Sequence, residues 1–230
     1  MNVVYAATRN LYKPLKGAIR SLLDHNENVK VYVLAEDDKL PFEIPCDHEI
    51  INVSGQTYFK PTCPNLDNQF TYMAMLRICT ADYVKEDRVI QLDVDTIVAD
   101  SLEPIWDTDL EGKWVAWVEE TLGTWKPFGE HYFNAGVSVL NLKQMREDGF
   151  VEMAVEELNT KYYLYIDQDV MNRFAVPDKC VGLPVRYNEC FCCGYTENPA
   201  VVHFAGLSDW YDNWLLYRWD YVKKYKDQKS

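Results

Sequence analysis

Asn2-Val3-Val4-Tyr5-Ala6-Ala7 opens the chain as an apolar run of strand length, Pro14 to His25 follows with its apolar residues at helical spacing, and Val29 to Ala35 is a second apolar run. Thr8-Arg9-Asn10-Leu11-Tyr12 is the turn between the first two. Strand, helix, strand in this order predicts a parallel sheet with helices on its faces. Working outward, Ile50 to Val53 predicts a third strand, residues 54–68 a long loop, and Asn68 to Tyr83 a helix with Met73, Leu76 and Thr80 along one side. Arg88-Val89-Ile90 begins a buried strand. Beyond it the pattern predicts a short helix over Ser101–Trp106, a strand over Trp114–Val118, a Gly- and aromatic-rich flap at 119–133 and a strand over Val137–Leu142. Helices follow at Lys143–Thr160 and Asp167–Phe174, then short β-like runs at Cys180–Tyr187 and Ala200–Phe204. No internal repeat or low-complexity linker interrupts the chain, so the expectation is one α/β domain over residues 1–230, closed by an aromatic helix at about 210–226. In such sheets ligands sit at the carboxyl ends of the strands.

The composition bounds the function. The chain is 48% hydrophobic and 14% aromatic, ample for a core, and its formal net charge is -13. Nucleic-acid binding needs an excess of Lys and Arg, so that partner class is disfavoured. No run approaches the roughly 20 apolar residues that span a bilayer. Met1-Asn2-Val3-Val4 lacks the basic start of a signal peptide, and the seven cysteines are an odd, irregularly spaced set. Together these lead to an expectation of a cytoplasmic protein with reduced thiols. Cys190-Phe191-Cys192-Cys193 is a tight cluster that fits no common zinc spacing.

Gln91-Leu92-Asp93-Val94-Asp95-Thr96 carries the chemistry. Alternation along a strand puts Asp93 and Asp95 on one side, where they repel each other unless a cation lies between them. Carboxylate oxygens suit a hard divalent ion such as Mn2+ or Mg2+. As a lone motif it is more often a pair of surface acids on a turn, because so short a pattern recurs by chance. Phe133-Asn134-Ala135-Gly136 precedes an apolar strand; Gly136 permits close approach of a ligand, and Asn134 offers both a donor and an acceptor. Asp167-Gln168-Asp169 opens a helix whose dipole alone accounts for one acid, though not for three polar residues in a row. His203 ends an apolar strand; it is either a hydrogen-bonded core residue or a nitrogen ligand that favours Mn2+ over Mg2+. Arg77 lies on a face leading to core positions, as a surface cation or as a partner of the acids.

Taken in order, these segments resemble glycosyltransferase family 8, the retaining sugar transferases. The match runs from Ala7-Thr8 and Tyr12 through Tyr72, Arg77 and Leu92-Asp93-Val94-Asp95 to Phe133-Asn134-Ala135-Gly136 and Asp167-Gln168-Asp169. It ends with Leu183-Pro184, Tyr187-Asn188 and His203-Phe204-Ala205-Gly206. The resemblance implies a GT-A (Rossmann-like) nucleotide-sugar-binding fold with a mixed, mostly parallel central sheet flanked by helices. It also implies a UDP-sugar donor, UDP-glucose or UDP-galactose, and a Mn2+ ion with Mg2+ as the alternative. The acceptor is a glycan, a lipid-linked sugar or a protein. By the same resemblance Asp93, Asp95 and His203 are the metal ligands. Ala7, Thr8, Asn10, Tyr12, Arg77, Asp93, Val94, Ala135 and Gly206 lie against the nucleotide sugar, with Tyr12 on the base. Asn134, Asp167 and Gln168 are the catalytic set that holds the sugar.

The family's ending, His-Phe-x-Gly-x-x-Lys-Pro-Trp, reads here His203-Phe204-Ala205-Gly206-Leu207-Ser208-Asp209-Trp210. An acid replaces the lysine that would neutralise the donor diphosphate, and Arg9 and Lys126 are the candidates to supply the missing charge. Thr8-Arg9 stands where many members carry Asp to read uracil. The competing readings are a sugar-nucleotide-binding relative with little transfer activity, and a haloacid-dehalogenase-type phosphatase with Asp93 as nucleophile. The phosphatase reading lacks a downstream Lys and acidic pair. The 16 tyrosines allow self-glycosylation, and the tail with Lys223-Lys224-Tyr225-Lys226 allows a membrane-surface helix, although core aromatics and a packed helix explain them more simply.

Overall fold

A computed structural model describes residues 1–122, 126–207, 209–213 and 215–226. The chain opens β1 (Asn2–Ala7), α1 (Tyr12–His25), β2 (Lys30–Ala35) and β3 (Asp47–Asn52). Next come α2 (Tyr72–Leu76), a 3-10 turn (Arg77–Cys79), α3 (Thr80–Tyr83), β4 (Arg88–Leu92), β5 (Thr96–Val98) and α4 (Glu103–Trp106). The second half holds β6 (Val115–Glu119), β7 (Phe133–Asn141), α5 (Leu142–Glu147), α6 (Phe150–Thr160) and α7 (Ile166–Ala175). It closes with β8 (Cys180–Gly182), β9 (Val201–His203) and α8 (Trp219–Tyr225). No helix among the described residues is long and apolar enough to cross a membrane.

Seven strands form one sheet in the order β3-β2-β1-β4-β7-β6-β8. All adjacent pairs are parallel except the two made by β7, which runs against β4 and β6. The mixed, mostly parallel sheet of the expected fold class is therefore present. Alternation sorts its side chains. Val3, Tyr5 and Ala7 pack on one face against Leu15, Ala18, Ile19 and Leu22 of α1, which recur at helical spacing. Val4 and Leu34 pack on the other face, with Leu76 of α2, Phe150 and Ala154 of α6 and Val170 of α7.

Several elements differ from the sequence expectation. The helix expected over Asn68–Tyr83 starts only at Tyr72, because Asn68 is bound instead to the Tyr163 carbonyl (2.8 Å) and to the Phe70 N–H (3.1 Å). It then tightens at Arg77–Cys79, where the Thr80 hydroxyl donates to the Arg77 carbonyl at 2.7 Å. The helix expected over Lys143–Thr160 breaks at Gly149, which takes φ 65°. The strand expected from Val137 begins at Phe133, whose N–H and carbonyl are held by the Asn172 side chain and whose ring stacks on Trp117 at 5.3 Å. Asp93 and Asp95 are not at the end of a strand but on the turn from β4 to β5. That short strand pairs antiparallel with β9, Thr96 opposite His203.

The aromatic helix expected at 210–226 is confined to α8. Before it Trp210 stacks on Phe204 at 5.1 Å, Tyr217 lies exposed against Tyr195, and Arg218 enters α8 with φ 66°; Trp214 lies outside the described residues. Phe204, Trp210, Tyr211, Val222 and Tyr225 join Ile97 and Val202 in a third core cluster.

The ribbon meets the sheet at one glycine. A Cβ on Gly136 of β7 would lie 2.1 Å from His203 Cε1 and 2.4 Å from its Nδ1. The close approach expected of Gly136 is thus to the His203 ring. Gly136→Ala is expected to cost roughly 1–3 kcal/mol of stability through overpacking. Urea unfolding measures it, and an unchanged midpoint would mean that the ring moves aside freely.

Candidate active site

Strands β1, β2 and β4 all end at one edge of the sheet, and the segments that follow them converge there. The turn carrying Asp93 and Asp95 is fixed by backbone contacts. The Asp93 N–H donates to the Gly136 carbonyl (2.8 Å), the Thr96 hydroxyl to the Asp93 carbonyl (2.7 Å), and the Phe204 N–H to the Asp95 carbonyl (2.9 Å). This turn, rather than strand alternation, puts both carboxylates on one side. His203 Nε2 lies 3.5 Å from Asp93 Oδ2 and 3.4 Å from Asp95 Oδ1. One ligand atom from each of Asp93, Asp95 and His203 falls within a 4.8 Å group, and no Cys belongs to any such group among the described residues.

The electrostatics follow from this packing. Burial pushes the Asp93 carboxyl up against the pull of Arg77, and the Asp95 charge adds to the rise. Burial acts on Asp95 in the same sense, but the neighbouring His203 outweighs it and holds Asp95 below the ordinary carboxylate range. Burial disfavours a charged His203, yet the Asp95 carboxylate holds its pKa well above the usual value. Two carboxylates and an imidazole, the acids about a quarter exposed and the histidine buried, are a donor set that a divalent ion of the Mn2+ type fits.

Arg77 is the cation beside them. It is buried; its Nη1 reaches Asp93 Oδ1 at 2.5 Å and Asp167 Oδ2 at 3.1 Å, and its Nη2 donates to the Ala135 carbonyl at 2.7 Å. Burial pushes the Asp167 carboxyl up to about 6 despite Arg77. Gln168 is fully engaged. Its Oε1 accepts the Ala135 N–H (3.0 Å), and its Nε2 donates to Glu120 Oε1 and to the Tyr132 hydroxyl oxygen (both 3.1 Å). Asn134 donates to Glu120 Oε1 at 2.9 Å and accepts from Gly136 N–H and Asn188 Nδ2. Asp169 has a fastening role, accepting the Tyr132 hydroxyl at 2.6 Å and the Tyr165 N–H at 2.9 Å.

Sequence reasoning missed Glu120 and Tyr132 and assigned no role to Asn188. Glu120 follows β6 directly and is buried, which raises its pKa, although the amides of Asn134 and Gln168 oppose the rise. One of two adjacent acids in an expected flap gives no sequence signal of burial.

The first loop lies on the same edge. The Thr8 hydroxyl donates to Asn10 Oδ1 at 2.5 Å. Tyr12 is buried, its hydroxyl donating to Asp37 at 3.1 Å and accepting the Glu36 N–H at 3.2 Å. Ala7 and Val94 are buried, and Gly206 follows β9 with φ 71°. Arg9 and Lys126, the candidates to replace the missing lysine, are both engaged. Arg9 grips Asp37 with two nitrogens (2.8 and 2.7 Å), and Lys126 donates to the Glu130 carbonyl at 2.7 Å. Asp209 is exposed and accepts from Asn213 Nδ2 at 2.9 Å.

Comparison with known proteins accords with this geometry. The model of the family described as glycosyl transferase family 8 matches residues 2–212. Glycosyltransferase GlyD of Streptococcus pneumoniae serotype 4 (strain ATCC BAA-334 / TIGR4) is 34% identical over 164 residues, 67% of this chain but only 19% of GlyD. General stress protein A of Bacillus subtilis (strain 168) is 25% identical, with 90% of this chain and 85% of that one covered. Among solved structures, galactosyltransferase LgtC in complex with donor and acceptor sugar analogues superposes with a TM-score of 0.74 at 21% identity, covering 100% of this chain and 98% of LgtC. That likeness gives the GT-A fold, and the family match over nearly the whole length makes this chain a member of glycosyl transferase family 8.

Proposed function

We propose that this glycosyltransferase moves a hexose from a UDP-sugar, UDP-glucose or UDP-galactose, to a glycan, lipid-linked sugar or protein, with retention of anomeric configuration. Residues 1–230 are read as one GT-A domain. The observation that carries the proposal is the convergence of Asp93, Asp95 and His203 at the carboxyl edge of the sheet in a family 8 chain. Seven cysteines without a disulfide accord with a reducing, cytoplasmic setting.

A divalent ion held by Asp93, Asp95 and His203, Mn2+ before Mg2+, supplies Lewis-acid stabilisation of the leaving diphosphate. Arg77 keeps Asp93 and Asp167 at a fixed spacing, so the metal side and the sugar side of the site move together. Asp167 orients sugar hydroxyls. Gln168, seated on the Ala135 N–H, is the amide assigned to the positive charge that develops at the anomeric carbon. Ala7, Thr8, Asn10 and Tyr12 border the nucleotide, with Val94, Ala135 and Gly206 against the rest of the donor. A binding-only role is the second reading, and one observation favours it: Asp209 stands at the lysine position while Arg9 and Lys126 are already engaged.

Nucleotide release from a panel of UDP-sugars, with Mn2+, with Mg2+ and with EDTA, tests the proposal. Release from one sugar that EDTA abolishes is the expected result. UDP binding without release from any sugar would replace transfer by the binding-only role. Asp95→Asn is expected to abolish Mn2+-dependent UDP binding, and calorimetry showing unchanged binding would remove the metal assignment. Gln168→Ala is expected to lower turnover by about 10²-fold or more with little change in donor affinity; equal loss of both would show that Gln168 serves donor binding instead.

A further inference from the structure

A histidine offers a metal-ligating lone pair on one ring nitrogen only when the proton sits on the other, and the hydrogen bond made by that other nitrogen decides the matter. His203 Nδ1 lies 2.8 Å from Asn188 Oδ1. An amide presents either an acceptor or a donor there, so the orientation of Asn188 sets the tautomer. Asn188 is in turn bound through Nδ2 to Asn134 Oδ1 at 2.8 Å.

Asn134 has no freedom of its own. Its Nδ2 faces Glu120 Oε1 at 2.9 Å, and its Oδ1 faces the Gly136 N–H at 3.0 Å. A backbone N–H can only donate. Glu120 Oε1 also accepts from Gln168 Nε2, and Gln168 is itself oriented by the Ala135 N–H on its oxygen. Reversing Asn134 would set donor against donor at Gly136 and acceptor against acceptor at Glu120. All four links are buried, with Glu120 6%, Asn134 5%, Asn188 0% and His203 6% exposed, so water cannot repair a mismatch.

We propose that Asn134 and Asn188 are positioning residues of the metal centre: a two-amide relay, pinned by Glu120 and the Gly136 N–H, that keeps a proton of His203 on Nδ1 and turns Nε2 toward Asp93 and Asp95 as the nitrogen that gives its lone pair to the ion when it binds. The proposal rests on reading those three residues as metal ligands. It assigns Asn134 a function separate from sugar binding, and it gives Glu120, just after β6, and Asn188, beyond β8, a shared purpose. The relay acts in series, so cutting either amide releases the same constraint.

The test uses the whole protein, 15N-labelled at its four histidines and loaded with Mg2+, and reads the imidazole nitrogens by NMR. The expected His203 spectrum has a proton on Nδ1; a proton on Nε2 with Nδ1 bare overturns the relay. Calorimetric titration with Mn2+ gives the second readout. Asn188→Leu should weaken Mn2+ binding by about 10–100-fold, and Asn134→Leu should also weaken it. The double variant should lose no more than Asn188→Leu alone; additive losses, or wild-type affinity in Asn188→Leu, overturn the relay while leaving the metal centre intact. A wild-type protein that binds no Mn2+ overturns the metal reading and the relay together. If a variant does not fold, the wild-type spectrum decides.

Discussion

One buried guanidinium holds this site together. Arg77 joins the turn after β4, the start of α7 and a carbonyl of β7 through Asp93, Asp167 and Ala135. Desolvating a cation is costly, and the cost is recovered only where the geometry of its partners is good. Here two carboxylates and a carbonyl take its two terminal nitrogens, while Nε has no partner among the described residues. Removing one member of a buried pair of this kind generally costs about 3–5 kcal/mol, and the quarter exposure of Asp93 screens a share of that. The packing explains why the acids can be crowded: Arg77 offsets repulsion that would otherwise push the β4–β5 turn away from α7.

The elements with one dominant pattern were readable from sequence. Asn2–Ala7 and the α1 stripe of Leu15, Ala18, Ile19 and Leu22 are uniform enough to specify their own geometry, and the βαβ opening followed from them. Elements that depend on distant partners were not readable. β5 is three residues long and exists because β9 lies against it about a hundred residues later. The tail looked helical because aromatics are frequent there, yet Trp210 is held by stacking on Phe204, a contact that spacing along the chain does not encode. Asn68 left the expected helix for a carbonyl at Tyr163, again a non-local bond.

The candidate site divides in the same way. Asp93, Asp95, His203 and Arg77 stand in short segments that resemble a family, and the fold brings His203 beside both acids and Arg77 onto Asp93. Glu120 and Tyr132 act through Asn134, Gln168 and Asp169 and leave no short motif; Asn188 stands in one, Tyr187-Asn188, but its partners His203 and Asn134 are distant in sequence and give it no role there. Arg9 shows the converse. Its charge made it a candidate for the diphosphate, but Asp37, placed beside it by the parallel pairing of β1 and β2, takes that charge up.

The reversed direction of β7 has a mechanical consequence. In a fully parallel sheet every strand reaches the ligand edge with its last residues, and the groups there hang from connecting loops. β7 runs the other way, so its first residues arrive at that edge as strand: Phe133 and Asn134 pair with Glu119 and Val118 of β6, and the Gly136 carbonyl takes the Asp93 N–H. Asn134 and Ala135 are therefore carried by a strand and fastened by side chains, Asn134 by Asn188 and Ala135 by Gln168. This part of the site is built on a beam of the sheet itself, whereas Thr8 and Asn10 hang from the connection between β1 and α1.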